Sequence, residues 1–258
     1  MFRVLFVCTG NRCRSPFAAA SFARIAEGLP VEVESAGTAD LGPVPPTVDA
    51  IRVADEHGVD VTRHAARSLD LVDASTFDAV IGFERNHIAA AVVEAGAPHE
   101  RAFLLPELER LLREVDTGNE HADPIEQARA VLARAHGARG QFVPGEEVDD
   151  PIGRPLRKYQ EVFAEIDELN EAIVDALFAG VERTSAPDVA AATETDADAE
   201  SIARVWGSSE PASTNEDVRA RVWGSDVATE TPDASLEEPA GEAEPAAHES
   251  PVPEATST

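Results

Sequence analysis

Five residues separate Cys8 from Arg14 in the run Cys8-Thr9-Gly10-Asn11-Arg12-Cys13-Arg14-Ser15. A tight loop of this length that opens onto a helix turns several backbone N–H groups inward, and the positive end of the helix dipole lies behind them. That is a nest for a tetrahedral oxyanion. Arg14 can clamp two of its oxygens. The same positive field favours the Cys8 thiolate, a nucleophile able to attack phosphorus. The Ser15 hydroxyl is placed to hydrogen-bond that sulfur, and Asn11 to hold the loop from behind. Gly10 and Asn11 both tolerate unusual backbone angles. Cys8 and Arg14 are therefore the catalytic candidates. Thr9, Gly10, Asn11, Arg12, Cys13 and Ser15 are the candidate substrate-binding positions. A lone cysteine would read as core filler, but here nucleophile, turn residues, clamp and helix start coincide.

Attack on a phosphate ester also needs an acid for the leaving oxygen. Val148-Asp149-Asp150-Pro151-Ile152-Gly153 offers an acidic pair in a Pro/Gly loop before the last helix. Alone it would read as an ordinary helix start. Beside the cysteine loop, Asp150 becomes the third catalytic candidate.

The elements that must position these groups follow from hydrophobic periodicity. Arg3–Cys8 is a short apolar run that ends in Thr9-Gly10-Asn11, a buried strand entering a turn. Pro16 suits the first turn of the following helix, which stops near Gly28. Val31–Ser35, Phe77–Phe83 and Arg101–Leu105 read as further strands. Helices are expected around 46–57, over Arg85–Ala95, Glu107–Val115 and Pro124–Ala138, and over a long closing stretch, Arg154–Val181. Strands alternating with helices predict an α/β fold with a four-stranded parallel sheet flanked by helices on both faces. In such sheets the ligand sits beyond the carboxyl ends of the strands, which is where Cys8 falls.

Charge divides the 258 residues unevenly. Residues 184–258 hold 17 acidic and 3 basic residues, and residues 1–183 hold 32 and 18. The last segment is rich in Ala, Pro, Ser, Thr and Glu and lacks aliphatic clusters. It cannot bury enough apolar surface to offset its ordering entropy. The expected division is a folded domain over 1–183 and a disordered acidic tail over 184–258. Within the tail, Ala203-Arg204-Val205-Trp206-Gly207-Ser208 recurs as Ala220-Arg221-Val222-Trp223-Gly224-Ser225. These copies are either part of a solubilising appendage or short motifs that bind an unknown protein partner through Trp206 and Trp223. The acidic balance argues against nucleic acid as a general partner. No apolar run reaches the roughly 18 residues of a membrane span. A signal peptide is not expected, and two cysteines do not make a disulfide framework. A cytoplasmic protein is the simplest expectation, and abundant Ala, Arg and Asp with little Lys hints at a bacterial source. His57, His64, His87, His99, His121, His136 and His248 are scattered without metal-ligand spacing and read as surface or loop residues. No dinucleotide fingerprint is present.

Val7-Cys8-Thr9-Gly10-Asn11-Arg12-Cys13-Arg14-Ser15-Pro16 resembles the signature of the low-molecular-weight protein tyrosine phosphatases. Ser35-Ala36-Gly37-Thr38 is similar to that family's second-strand motif, and Asp150-Pro151 to its late acid motif, with Tyr159 in the helix beyond. The resemblance spans roughly residues 1 to 180. It implies a four-stranded parallel sheet, no metal and no organic cofactor. It implies a phosphorylated protein or small phosphoester as substrate. Cys8 would be the nucleophile and Arg14 the phosphate ligand. Asp150 would protonate the leaving group and then activate water against the phosphocysteine. Cys13 is either a partner that can pair with the nucleophile and protect it, as in many members, or a small buried filler.

The departures concern the substrate. Members that prefer phosphotyrosine usually have aromatic residues after the Asp-Pro pair and an aromatic wall after the Ser-Ala-Gly-Thr motif. Here those positions read Ile152-Gly153 and Ala39-Asp40-Leu41-Gly42, so Ile152 is the candidate contact beyond the acid. Arg12 stands where tyrosine-directed members commonly carry Ile and arginine-phosphate-directed relatives carry Thr. It either draws an anionic substrate at the pocket mouth or pairs with Asp149 or Asp150. The stretch from Pro106 to Val148 is longer than usual and either shapes the mouth or covers the sheet. Phosphotyrosine hydrolysis leads, with thiol-dependent arsenate reduction and protein phosphoarginine hydrolysis as alternatives. Against the first alternative, Pro16 stands where related reductases carry Gln, and no cysteine follows Cys13.

Overall fold

The computed structural model describes residues 1–118, 120–140, 143 and 145–184. Four parallel strands, β1 (Phe2–Cys8), β2 (Val31–Gly37), β3 (Ala79–Gly82) and β4 (Ala102–Leu104), form one sheet in the order β2-β1-β3-β4. Among the described residues the helices are α1 (Arg14–Ile25), α2 (Val48–Glu56), α3 (Arg85–Val93), α4 (Leu105–Glu114), α5 (Pro124–Gly137) and α6 (Leu156–Leu177), with three short 3-10 turns. The expected α/β architecture is what forms. The 3-10 turns at Leu69–Leu71 and Ala74–Thr76 were not legible, since three-residue turns carry no periodicity. The expected tail, with Trp206 and Trp223, lies outside the described residues.

Side chains of β1 alternate between two cores, as the period of a strand requires. Phe2, Val4, Phe6 and Cys8 face one, with residues from α1, α2, α4, α5 and α6. Leu5 and Val7 face the other, with Ala91 of α3 and the segment Leu69–Phe77. Both sheet faces are therefore covered, and β1 is apolar apart from Arg3. Phe17 of α1 stacks on Phe163 of α6 at 3.9 Å between ring centroids, fixing the first helix against the last. Leu108, Leu111 and Leu112 of α4 and Ala128, Val131 and Leu132 of α5 are buried in the larger core. The long connection therefore covers the sheet, and among its described residues the end at Glu147 and Val148 reaches the site. The last described residue, Thr184, donates its N–H to Gly28 O at 3.0 Å, beyond the carboxyl end of α1 and away from Cys8.

Candidate active site

The loop leaves β1 at Cys8 and is held against β2 from its first residue. Thr38 N and Ala39 N donate to Cys8 O and Thr9 O, both at 2.9 Å. A Cβ at Gly37 would lie 2.8 Å from Thr9 O and 2.9 Å from Asn11 N, so only glycine lets the loop pack this closely. Asn11 makes the turn with φ 50°, the one non-glycine residue in the left-handed region among those described. Its amide Nδ2 donates to Ser15 Oγ and Ser35 Oγ, both at 2.9 Å, and its Oδ1 accepts Arg67 N at 2.9 Å. Asn11 does hold the loop from behind. Gly10 differs from expectation, because its φ is not in the left-handed region. What a side chain there would meet is Leu41 Cδ1, 3.3 Å from the Cβ position.

Cys8 Sγ lies 2.9 Å from Ser15 Oγ in a buried contact. Ser15 Oγ accepts from Asn11 Nδ2, and its own proton faces two acceptors, Cys8 Sγ at 2.9 Å and Ala36 O at 3.4 Å. Cys13 is the N-cap of α1 and caps it with no side-chain hydrogen bond, so the first N–H groups stay open to an anion. Burial, and then the charge of Cys8 nearby, pushes the Cys13 thiol up from its ordinary value. Cys13 is held as a neutral thiol near Cys8.

Arg14 is 1% exposed, and a guanidinium so buried needs partners. Its Nη1 donates to Glu84 Oε1 at 2.5 Å and to Val148 O at 3.0 Å, and its Nη2 lies 2.9 Å from Asp150 Oδ2. Val148 N in turn donates to Phe83 O at 2.9 Å. The loop before α6 is thereby pinned to the end of β3, which places Asp150 over the Arg14 guanidinium. Asp150 Oδ1 accepts Ile152 N at 3.1 Å, and Asp149 pairs with Lys158 at 2.6 Å. The Lys158 ammonium holds the Asp149 carboxyl below its usual value. Arg12 pairs with neither aspartate. Its Nε donates to Pro45 O at 2.8 Å, because the loop turns that side chain toward the segment after β2.

Two histidines correct the surface-or-loop expectation. His87 is 0% exposed on α3, and its Nδ1 accepts Glu84 N at 3.1 Å and Phe83 N at 3.4 Å. Its Nε2 sits 3.0 Å from Thr9 Oγ1. Burial first, and the Arg14 charge second, pulls its pKa down to about 4. His64, half-buried, places Nε2 2.9 Å from Asn11 O, and burial lowers its pKa too. Glu84 and His87 were missed by sequence reasoning. The signal was a charged residue and a histidine three apart just beyond β3, at the same sheet edge as Cys8.

A cleft of about 540 Å³ opens beside Arg14, lined by Glu84, Glu147, Asp149, Asp150, Arg154 and Lys158. At the site's rim Leu41 is 48% and Ile152 46% exposed. Among the described residues no group of three or more His, Cys, Asp or Glu side chains could hold a metal ion, and no helix is long and apolar enough to cross a membrane.

A family model described as low molecular weight phosphotyrosine protein phosphatase matches residues 3–136. The low molecular weight protein-tyrosine-phosphatase Etp of Escherichia coli (strain K12) is 32% identical over 132 residues, 51% of this chain and 88% of that protein. A protein-arginine-phosphatase of Geobacillus stearothermophilus is 27% identical over 180 residues, 68% of this chain and 96% of that one. Among solved structures, a low molecular weight protein tyrosine phosphatase from T. tengcongensis superposes with a TM-score of 0.51 at 27% identity, covering 68% of this chain and 99% of that chain.

Proposed function

This chain belongs to the low molecular weight phosphotyrosine protein phosphatase family, and from that premise we propose that it hydrolyses phosphorylated protein side chains, nominally phosphotyrosine, with Cys8, Arg14 and Asp150 as the reacting set. The phosphocysteine route is the family's own, and the residue roles are this reading's. Cys8 attacks phosphorus as the thiolate while the bond to the leaving oxygen breaks. Asp150 gives that oxygen its proton. The phosphoryl group then sits on Cys8, its oxygens held by loop N–H groups and Arg14. Asp150, now a carboxylate, takes a proton from water as it attacks phosphorus, and the thiolate departs with inorganic phosphate released.

The observation that carries this reading is the Arg14–Asp150 contact at 2.9 Å, which puts the acid on the phosphate clamp, next to the loop that holds Cys8. Turnover of p-nitrophenyl phosphate by the wild type, Cys8→Ser and Asp150→Asn tests it. Activity should vanish in the first variant and fall about a hundredfold or more in the second. Full activity in Cys8→Ser would sink the mechanism.

A second reading, phosphoarginine as substrate, is favoured by the cleft. Four carboxylates, Glu84, Glu147, Asp149 and Asp150, line it beside Arg154 and Lys158, and those not held by a cation could meet a guanidinium leaving group. Leu41 and Ile152 at the rim offer aliphatic contact rather than a ring-stacking wall. Side-by-side assays on phosphotyrosyl and phosphoarginyl peptides, with an arsenate-plus-thiol arm, separate the alternatives. A cytoplasmic location belongs to the proposal, because a nucleophilic cysteine with a second cysteine five residues on needs reducing surroundings. So does a protein partner for the two Arg-Val-Trp-Gly-Ser copies around Trp206 and Trp223, to be tested by co-purification with and without residues 184–258.

A further inference from the structure

His87 fixes the direction of a hydrogen bond at the lip of the phosphate loop. Its Nδ1 accepts two backbone N–H groups, from Phe83 and Glu84, so the ring proton must sit on Nε2. Nε2 therefore donates to Thr9 Oγ1 across 3.0 Å, and the threonine oxygen is the acceptor. A hydroxyl that accepts this bond still has its own hydrogen to give. Thr9 is exposed, and its hydroxyl has no other hydrogen bond among the described residues. The exposed Thr9 side chain is next in sequence to Cys8, and its hydroxyl lies on the side of the loop facing His87 of α3.

We propose that Thr9 is a specificity-determining residue whose hydroxyl donates a hydrogen bond to an acceptor on the ester side of a phosphopeptide, and that His87 is the positioning residue that fixes this direction. The inference rests on the phosphatase reading above and deepens it. The buried imidazole keeps Thr9 from donating into α3 and leaves its proton for the substrate. The acceptor it serves lies on the phosphorylated residue or its backbone, not on the phosphoryl oxygens.

The test is a double-mutant cycle on the full chain. Thr9→Val, Thr9→Ser, His87→Leu, His87→Gln and the Thr9→Val/His87→Leu double variant are compared. The substrate is whichever of a phosphotyrosyl and a phosphoarginyl peptide the wild type turns over faster. Thr9→Val should raise KM for the peptide by about tenfold with kcat nearly unchanged, the cost of one hydrogen bond made equally in ground and transition states. Thr9→Ser should restore it. His87→Leu should give a similar rise, and the double variant no more than either single change. His87→Gln, whose amide can accept and donate along the same line, should recover most of the affinity. Inhibition by orthovanadate, which occupies only the nest, should stay within about twofold in every variant. Additive effects would overturn the positioning role of His87. An unchanged peptide KM in Thr9→Val, or a loss of vanadate affinity there, would overturn the assignment of Thr9 to the ester side. If His87→Leu does not fold, the Thr9 pair and His87→Gln still decide the matter. A wild type without turnover on p-nitrophenyl phosphate or either peptide would instead sink the parent reading.

Discussion

The Nη2 atom of Arg14 lies 2.9 Å from Asp150 Oδ2, so the group read as the acid rests on the group read as the phosphate clamp. The Nη1 atom of the same guanidinium is held by Glu84 at 2.5 Å. Two carboxylates thus balance one buried cation before any substrate enters. An arriving phosphate group must share Arg14 with both of them. Asp150 is the more exposed of the two and belongs to a loop, so it is the partner that can swing to the leaving oxygen. Glu84, next to the start of α3, stays.

With Arg14 read as the phosphate clamp, Glu84 should weaken phosphate binding while it aims the guanidinium. Glu84→Gln keeps a hydrogen-bond acceptor on Arg14 but removes the charge. Inorganic phosphate should then inhibit more strongly, by about threefold to tenfold. The kcat should fall, because the guanidinium is no longer held to one side. Product-inhibition constants measured at fixed ionic strength check this. An unchanged constant would mean that Glu84 leaves the charge seen by phosphate unaltered.

Gly37 gives a sharper test of loop placement. A Cβ there must displace Thr9 O or Asn11 N, both backbone atoms that cannot rotate away. Gly37→Ala should cost about a hundredfold in kcat/KM, as expected when a reacting geometry is shifted by a fraction of an ångström or more. The thermal midpoint should drop by only a few degrees. Paired kinetics and thermal unfolding separate the two. Equal activity with lowered stability would show that the loop rebuilds itself around the methyl group.

Much of this was legible because it rests on periodicity and short-range spacing. The apolar run of β1, the turn at Asn11 and the acid before α6 each announce themselves within ten residues. Asp150 was recognisable only because the cysteine loop made an acid necessary. The contacts that tie the site together were not legible, since they join distant positions. Arg14 meets Glu84 across 70 residues and Val148 across 134. His87 looked like one scattered histidine among seven until β3 brought it beside β1. The pairing offered for Arg12 failed for the opposite reason. Charge alone suggested Asp149 or Asp150, but Lys158 and Arg14 hold those carboxylates, and the backbone at Pro45 is what Arg12 Nε reaches.

Asn11 ties β1, β2 and the segment before Ser68 into one support. Asn11→Ala would leave Arg67 N without its acceptor, free two serine hydroxyls and put alanine at φ 50°. The buried amide bonds and the strained backbone together predict a loss of about 3 kcal/mol. Urea unfolding should show it as a lower midpoint with an unchanged slope. Asn11→Asp should cost stability too, because a carboxylate cannot donate to Ser15 and Ser35. It should also reduce activity, because Ser15 would turn its proton to the new carboxylate and away from Cys8.

Acid should destabilise the fold through His87. The imidazole is neutral in the folded protein, with its pKa pulled down to about 4 by burial, against 6.5 for the free side chain. Between those values the unfolded chain binds a proton that the folded one refuses. Its contribution to stability is therefore fully present above about pH 6.5 and declines as pH falls toward 4, by roughly 3 kcal/mol in all. His64, lowered by burial as well, acts in the same direction. Glutamine at position 87 can keep an acceptor toward the backbone and a donor toward Thr9 but has nothing to titrate. Unfolding free energies of the wild type and His87→Gln, measured from pH 7 down to 4, should converge as the wild type loses this contribution. Parallel curves would mean that His87 takes up its proton in the fold as readily as in the unfolded chain. Its Nδ1 would then not be held as the acceptor of Glu84 N, and the direction assigned to the Thr9 hydrogen bond would lose its basis.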